Sequence, residues 1–157
     1  MGKDMIFHLL FAVLMASLLA GCSFEKDETP MTPKQFCTEM ESWGLVVDED
    51  TDISDSACQS IHIAINEDKY SFEYYFMTDV ESAKGLYTLT TSNLDTAYKD
   101  KPSTVIISNA AEDHGKYEMT SPDYYAAVCH KKNTVLYVSA YAKSKEDAEK
   151  ILKELGY

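Results

Sequence analysis

Two runs of strict alternation, separated by a short polar turn, limit the fold more than any other feature of the chain. Residues 60–65 carry Ile61, Ile63 and Ile65 on one side and His62 and Ala64 on the other. Residues 70–77 set Tyr70, Phe72, Tyr74 and Phe76 against Ser71, Glu73, Tyr75 and Met77. A period of two belongs to extended strands, because successive side chains leave opposite faces of the pleat. Asn66, Glu67, Asp68 and Lys69 between the runs read as a turn, so the pair predicts an antiparallel hairpin.

Helical signals bracket that hairpin. Thr32-Pro33-Lys34-Gln35 is a capping box with proline at the first helical position, and Phe36, Met40 and Trp43 then form one apolar face before Gly44. Residues 45–47 are strand-like, and residues 48–55 read as an acidic loop. Thr78-Asp79-Val80-Glu81 reads as a second capping box, followed at helical spacing by Ala83, Leu86, Tyr87, Thr90, Leu94 and Tyr98. Residues 104–108 predict a strand and residues 110–116 a turn-rich link. Residues 117–120 and 124–130 are strand-like, interrupted at Ser121-Pro122. Lys131-Lys132-Asn133 is a hairpin turn, and residues 134–141 form the last strand. Ser144 is placed to cap a final helix with Ala148, Ile151, Leu152 and Leu155 in register.

The order predicts an α+β domain over residues 32–157. Its core is an antiparallel sheet of about six strands with three helices packed mainly on one face. A helix followed by three strands occurs twice in that order, which suggests a duplicated unit. The apolar content of 45% can build a core. The charge of −12, carried with 14 lysines and no arginine, opposes nucleic acid as a partner.

Residues 1–21 are read as a leader outside the fold. A short polar start with Lys3 precedes an apolar run over residues 5–19, broken only by His8. That run is short of the roughly 20 residues a spanning helix needs. Ala20 and Gly21 are small, as a peptidase gripping extended backbone requires, and Cys22 follows. Leu19-Ala20-Gly21-Cys22 resembles the lipobox of bacterial lipoprotein precursors. The resemblance implies cleavage between Gly21 and Cys22, a diacylglyceryl group on the Cys22 thiol, and an extracytoplasmic domain held at the cell membrane. Residues 22–31 then serve as lipidated cysteine and flexible tether, including Pro30. A domain of such negative charge is repelled by an anionic bilayer and stands off it on its lipid. The mature part is also similar to small uncharacterised surface lipoproteins of Gram-positive bacteria. The similar features are the helix ending at Gly44, the Asn133-Thr134 hairpin and the lysine-rich last helix ending in Gly156-Tyr157. That group implies no activity.

The search for chemistry finds no assembled site. Cys129 and His130 are neighbours on a strand and so point to opposite faces. Cys58 and His62 share a face but lie about 13 Å apart along a strand. Cys129, His62 and His114 are the candidates if the chain is an enzyme, and no catalytic residue is assigned. Cys37, Cys58 and Cys129 allow at most one internal disulfide. Asp48, Asp50 and Asp52 match the first ligands of a calcium loop, but Ile53 stands where glycine is needed and Gln59 where glutamate is needed. No metal or cofactor is expected. The apolar residues Val128, Val135, Leu136 and Val138 mark a central hairpin covered on both sides. An alternative is an aromatic sheet face with Tyr75, Tyr124 and His130 that meets an unknown protein or small molecule. The expectation is therefore a non-catalytic binding module, with a structural or inhibitory surface protein as a further alternative.

Overall fold

The computed structural model describes residues 29–50 and 56–157. The leader, Cys22, tether residues 23–28, and Asp52 and Ile53 of the calcium-loop pattern lie outside the described residues. Helix α1 (Pro33–Ser42) leads into strands β1 (Val46–Asp50), β2 (Cys58–Asn66) and β3 (Tyr70–Met77). Helix α2 (Val80–Tyr98) follows, then β4 (Val105–Ala110), β5 (His114–Thr120), β6 (Tyr124–Lys131) and β7 (Thr134–Tyr141). A short 3-10 turn (Ala142–Ser144) opens onto helix α3 (Lys145–Glu154).

The strands form one sheet in the order β1-β2-β3-β7-β6-β5-β4, antiparallel throughout. The fold is α+β as expected, with seven strands in place of six. Ser121-Pro122 does not interrupt one strand; it lies in a turn between two. The Ser121 N–H donates to the Tyr124 carbonyl at 2.8 Å, and the Tyr124 N–H returns to Ser121 Oγ at 3.1 Å. The link read over residues 110–116 shrinks likewise, because β4 runs to Ala110 and β5 begins at His114. The acidic loop read over residues 48–55 is also corrected at its start: β1 runs to Asp50, and on this edge strand Asp48 pairs with Ile63 and Glu49 with His62.

The caps explain where the helices begin. Thr32 Oγ1 accepts from the Gln35 N–H at 3.3 Å, and Gln35 Oε1 accepts from the Thr32 N–H at 2.8 Å. Gly44 leaves α1 at φ 76, a left-handed conformation that a side chain would strain. The second cap falls one residue later than expected. Asp79, not Thr78, accepts from the Ser82 N–H at 2.7 Å, and that bond holds its carboxyl below the usual range. Ser144 stands at the head of α3, but its side chain makes no capping bond.

Two of the three helices share one face of the sheet, and the longest takes the other. Phe36 and Met40 of α1 and Ala148, Ile151 and Leu152 of α3 share a core with Ala64, Phe72, Tyr74, Tyr125, Leu136 and Val138. Ala83, Tyr87 and Leu94 of α2 pack on the opposite face with Tyr117, Met119, Ala126, Val128 and Val135. The β6–β7 hairpin lies between these two cores, so its residues are apolar on both faces. Burying side chains of this size removes about 25 cal/mol of unfavourable hydration for each Å² of apolar surface. Phe36 adds a stacked contact with Tyr74 at 4.8 Å between ring centroids.

Candidate functional site

A physical asymmetry follows from where each helix sits. α1 lies over β1, β2 and β3 on one side of the sheet, whereas α2 lies over β6, β7 and β3 on the other. Among the described residues, no helix covers the α2 side of β1, or of β2 beyond Cys58, which packs against the α2 core. In β2, His62 at 6% exposure and Ala64 at 0% are the buried residues. The isoleucines face the uncovered side: Ile61 and Ile63 are half-buried and Ile65 is 40% exposed. Small Ala64 lets α1 approach the sheet, which explains why that side of the strand is the core.

The uncovered face is built in rows by strand register. Val46 (75% exposed) pairs with Ile65, which pairs with Ser71, itself opposite Ser139. Asp48 pairs with Ile63, which pairs with Glu73, opposite Tyr137. Ile61 pairs with Tyr75. The result is an apolar stripe crossed by two carboxylates. The Tyr75 hydroxyl donates to Glu73 Oε2 at 2.6 Å, and Tyr124 and Tyr137 meet through their hydroxyls at 3.2 Å. Tyr98 from the end of α2 stacks on Tyr124 at 5.9 Å, closing the stripe on that side. Burial pushes the Tyr137 hydroxyl well above the ordinary phenol range, and the neighbouring hydroxyl of Tyr124 adds to the rise.

Tyr75, Tyr124 and His130 share one sheet face, as alternation requires, but not one environment. Tyr75 and Tyr124 are half-buried at the border of the stripe. His130 is 2% exposed beneath α2, with its ring 4.7 Å from that of Tyr87. An exposed face that includes His130 is therefore corrected to one without it. Nothing in the local sequence marks this burial, which depends on a helix that begins 50 residues earlier.

The candidates for catalysis are dispersed. His62 meets Cys37 of α1, with Nδ1 3.4 Å from Sγ, a contact that sequence spacing did not reveal. Burial, then Glu41 and Glu49, push the Cys37 thiol up, which opposes a thiolate nucleophile. His114 is exposed and its Nδ1 lies 2.8 Å from Asp113 Oδ1. Cys129 is 1% exposed on the α1 and α3 side of β6. Cys37, Cys58 and Cys129 are not joined to one another by a disulfide. Among the described residues, no three His, Cys, Asp or Glu side chains are arranged to hold a metal ion. No helix among them is long and apolar enough to cross a membrane.

The chain matches no known family model, no curated protein and no solved structure.

Proposed function

We propose that the chain is a membrane-anchored extracytoplasmic lipoprotein whose domain binds a protein partner through the uncovered face of β1–β3 and catalyses no reaction. Leu19-Ala20-Gly21-Cys22 supports the anchor, with Cys22 as the lipid-bearing residue at the cell membrane. The observation that carries the binding role is the inverted burial of β2, which leaves Ile61, Ile63 and Ile65 on the open side while Ala64 and His62 are covered. A row of β-branched residues left uncovered is an interaction surface more readily than a solvated one. Asp48 and Glu73 interrupt the stripe, and the chain carries −12 overall. The partner that fits is an amphipathic segment presenting apolar side chains and lysine or arginine. A second copy of this chain would bring a like charge to the interface.

The same reading takes α1-β1-β2-β3 and α2-β4-β5-β6 as two copies of one unit, with β7 and α3 added. A half-turn about β7 exchanges β3 with β6, β2 with β5 and β1 with β4, and it carries α1 from one face to the other. The alternative of an enzyme has one observation in its favour, the Cys37–His62 contact, and the raised thiol pKa weakens it.

Mass spectrometry of the native protein tests the anchor. The expected N-terminus is lipid-modified Cys22; an unmodified thiol there, or retention of residues 1–21, overturns it. Titration with a synthetic leucine–lysine amphipathic peptide tests the face. The peptide should bind the wild type and weaken with salt, and the double variant Tyr75→Ser with Ile63→Lys should abolish binding while the fold persists. Undiminished binding by that variant sinks the assignment of the face.

A further inference from the structure

A recess of about 380 Å³ lies at the end of the sheet where the β4–β5 and β6–β7 turns meet. Its inner wall is made by Gly115, Cys129, His130 and Tyr157, and its rim carries Lys116, Lys131 and Lys132. Such a volume falls near the lower end of small-molecule sites, which run from about 300 to 1,000 Å³. The rim is unusual for this chain. Three lysines stand there against the single carboxylate side chain of Asp113, on a protein of charge −12.

The walls are held in place by backbone constraints. Lys132 takes a left-handed conformation at φ 51, and its N–H donates to the Asp113 carbonyl at 2.7 Å, tying one turn to the other. Gly115 has to lack a side chain. A Cβ there would lie 2.8 Å from His130 Cδ2 and 2.9 Å from its Nε2. The imidazole therefore lies directly against the β5 backbone. Its Nδ1 is buried and has no hydrogen-bond partner among the described residues, which is uncommon for a polar atom in a folded interior. Charges at the mouth are already engaged with one another. Lys116 Nζ is 3.3 Å from Glu118 Oε1, and Asp113 is held by His114.

We propose that this recess binds a small organic anion, its apolar body against Tyr157 and Cys129 and its charged group among the three rim lysines. Burial lowers the His130 pKa, with His114 and Lys84 adding to the effect and Asp113 opposing it. Its ring lies on the α2 side of β6, opposite Cys129, so the attraction for negative charge comes from the lysines. The site is separate from the open face of β1–β3 and does not depend on a partner there.

Nuclear magnetic resonance titration of the folded protein tests the recess, with hexanoate, phenyl phosphate, hexanol and inorganic phosphate as probes. Hexanoate or phenyl phosphate should shift the amides of Gly115, His130, Lys132 and Gly156 saturably, with dissociation constants of about 1 mM or tighter. The arm that binds more tightly tells carboxylate from phosphate ester. Hexanol and inorganic phosphate should each bind at least about tenfold more weakly, since each lacks one half of the recognition. A triple variant, Lys116→Gln, Lys131→Gln and Lys132→Asn, should lose about tenfold in affinity for the organic anion and keep its thermal midpoint. Asparagine is chosen at 132 because it tolerates the left-handed backbone. No saturable shift with either organic anion overturns the proposal. So does equal binding of hexanol or inorganic phosphate, or a triple variant that binds as well as the wild type.

Discussion

The two halves of the sheet on either side of β7 use the same parts and leave opposite surfaces bare. In the β1–β3 half, α1 covers one face, and the isoleucines of β2 look out from the other. In the β4–β6 half, α2 covers the face that α1 does not. There Ile107 at 62% and Val105 at 58% look out from β4 on the side of α1 and α3. The difference lies in what surrounds the bare residues. Beside Ile107 stand Lys116 and Glu118, already paired at 3.3 Å, and Glu118 also accepts from the Tyr125 hydroxyl at 2.8 Å. Beside Ile63 stand Asp48 and Glu73, with no lysine paired opposite either on that face. One bare patch has its charges balanced locally, and the other does not. Exposure of β-branched residues alone therefore does not separate the two patches; the uncompensated charge is what sets apart the face proposed to bind a partner.

Core truncation should give the largest effect on either half. Phe36→Ala removes a fully buried ring stacked on Tyr74 and should cost about 3–5 kcal/mol in urea unfolding. Leu94→Ala in the α2 core should cost about 2–5 kcal/mol. If one of these leaves the unfolding midpoint unchanged, that helix contributes no core of its own and the two halves are not equivalent.

Raising the pH should destabilise both halves together. Burial pushes the Tyr74 hydroxyl up from 10.0 to about 12, with bonds from Thr134 and Tyr157 partly opposing it. Tyr117 and Tyr125 are raised further, by burial and then by the carboxylates of Asp95 and Glu118. A group whose pKa is higher in the folded state binds more protons there, so its stabilisation is complete below the unfolded value and fades as pH climbs past it. Stability should thus fall between about pH 10 and 12. A flat response over that interval would show that these phenols are solvated.

Lowering the pH should separate the halves. His130 titrates below its ordinary 6.5 because it is buried, with smaller contributions from its neighbours. The unfolded chain then binds the proton first, so stability is full above 6.5 and declines as pH falls towards the depressed value. Hydrogen exchange should show β5, β6 and α2 losing protection before α1 and β2. Uniform loss across the sheet would argue against a local cause.

Helix caps should give a smaller, matched pair of effects. Thr32→Ala and Asp79→Ala each remove one side-chain acceptor from a helix start; the first should cost about 1 kcal/mol by thermal unfolding and the second should lower the midpoint in the same direction. The Asp79 effect should vanish below its lowered pKa and that of Thr32 should not. Smallest of all, Ile65→Thr and Ile107→Thr should each move stability by within about 0.5 kcal/mol. Only the former should weaken capture of the amphipathic peptide.

The start of α1 was legible because a capping box is a local device, complete within the four residues Thr32 to Gln35. The second start was legible to within one residue. Thr78 looked like the cap, but its Oγ1 is engaged by the Ala57 carbonyl, 21 residues away. Alternation told correctly that Cys129 and His130 face apart, but it failed for Cys58 and His62: a bulge between Cys58 and Ser60 turns Cys58 to the α2 side, while His62 faces α1. It could not tell which face a helix would cover, because that depends on the path of α1 and α2 across strands distant in sequence. Hence the isoleucines of β2, the most apolar side of that strand, are the ones left open. The Cys37–His62 contact was hidden for the same reason: it joins a helix and a strand 25 residues apart. The Ser121-Pro122 break carried the missing strand, since a tight turn and a kink have the same composition.

The placement of β7 has a bearing on how the molecule comes into being. The last strand to be made is the one at the middle of the sheet, and it bridges β3 and β6, neither of which touches the other. Until residue 134 has emerged, a nascent chain holds two separate ribbons, each with an unsatisfied inner border of amide and carbonyl groups. Assembly therefore ends with an insertion, not an extension. A factor that shields those borders until the final strand docks would favour folded product over aggregation.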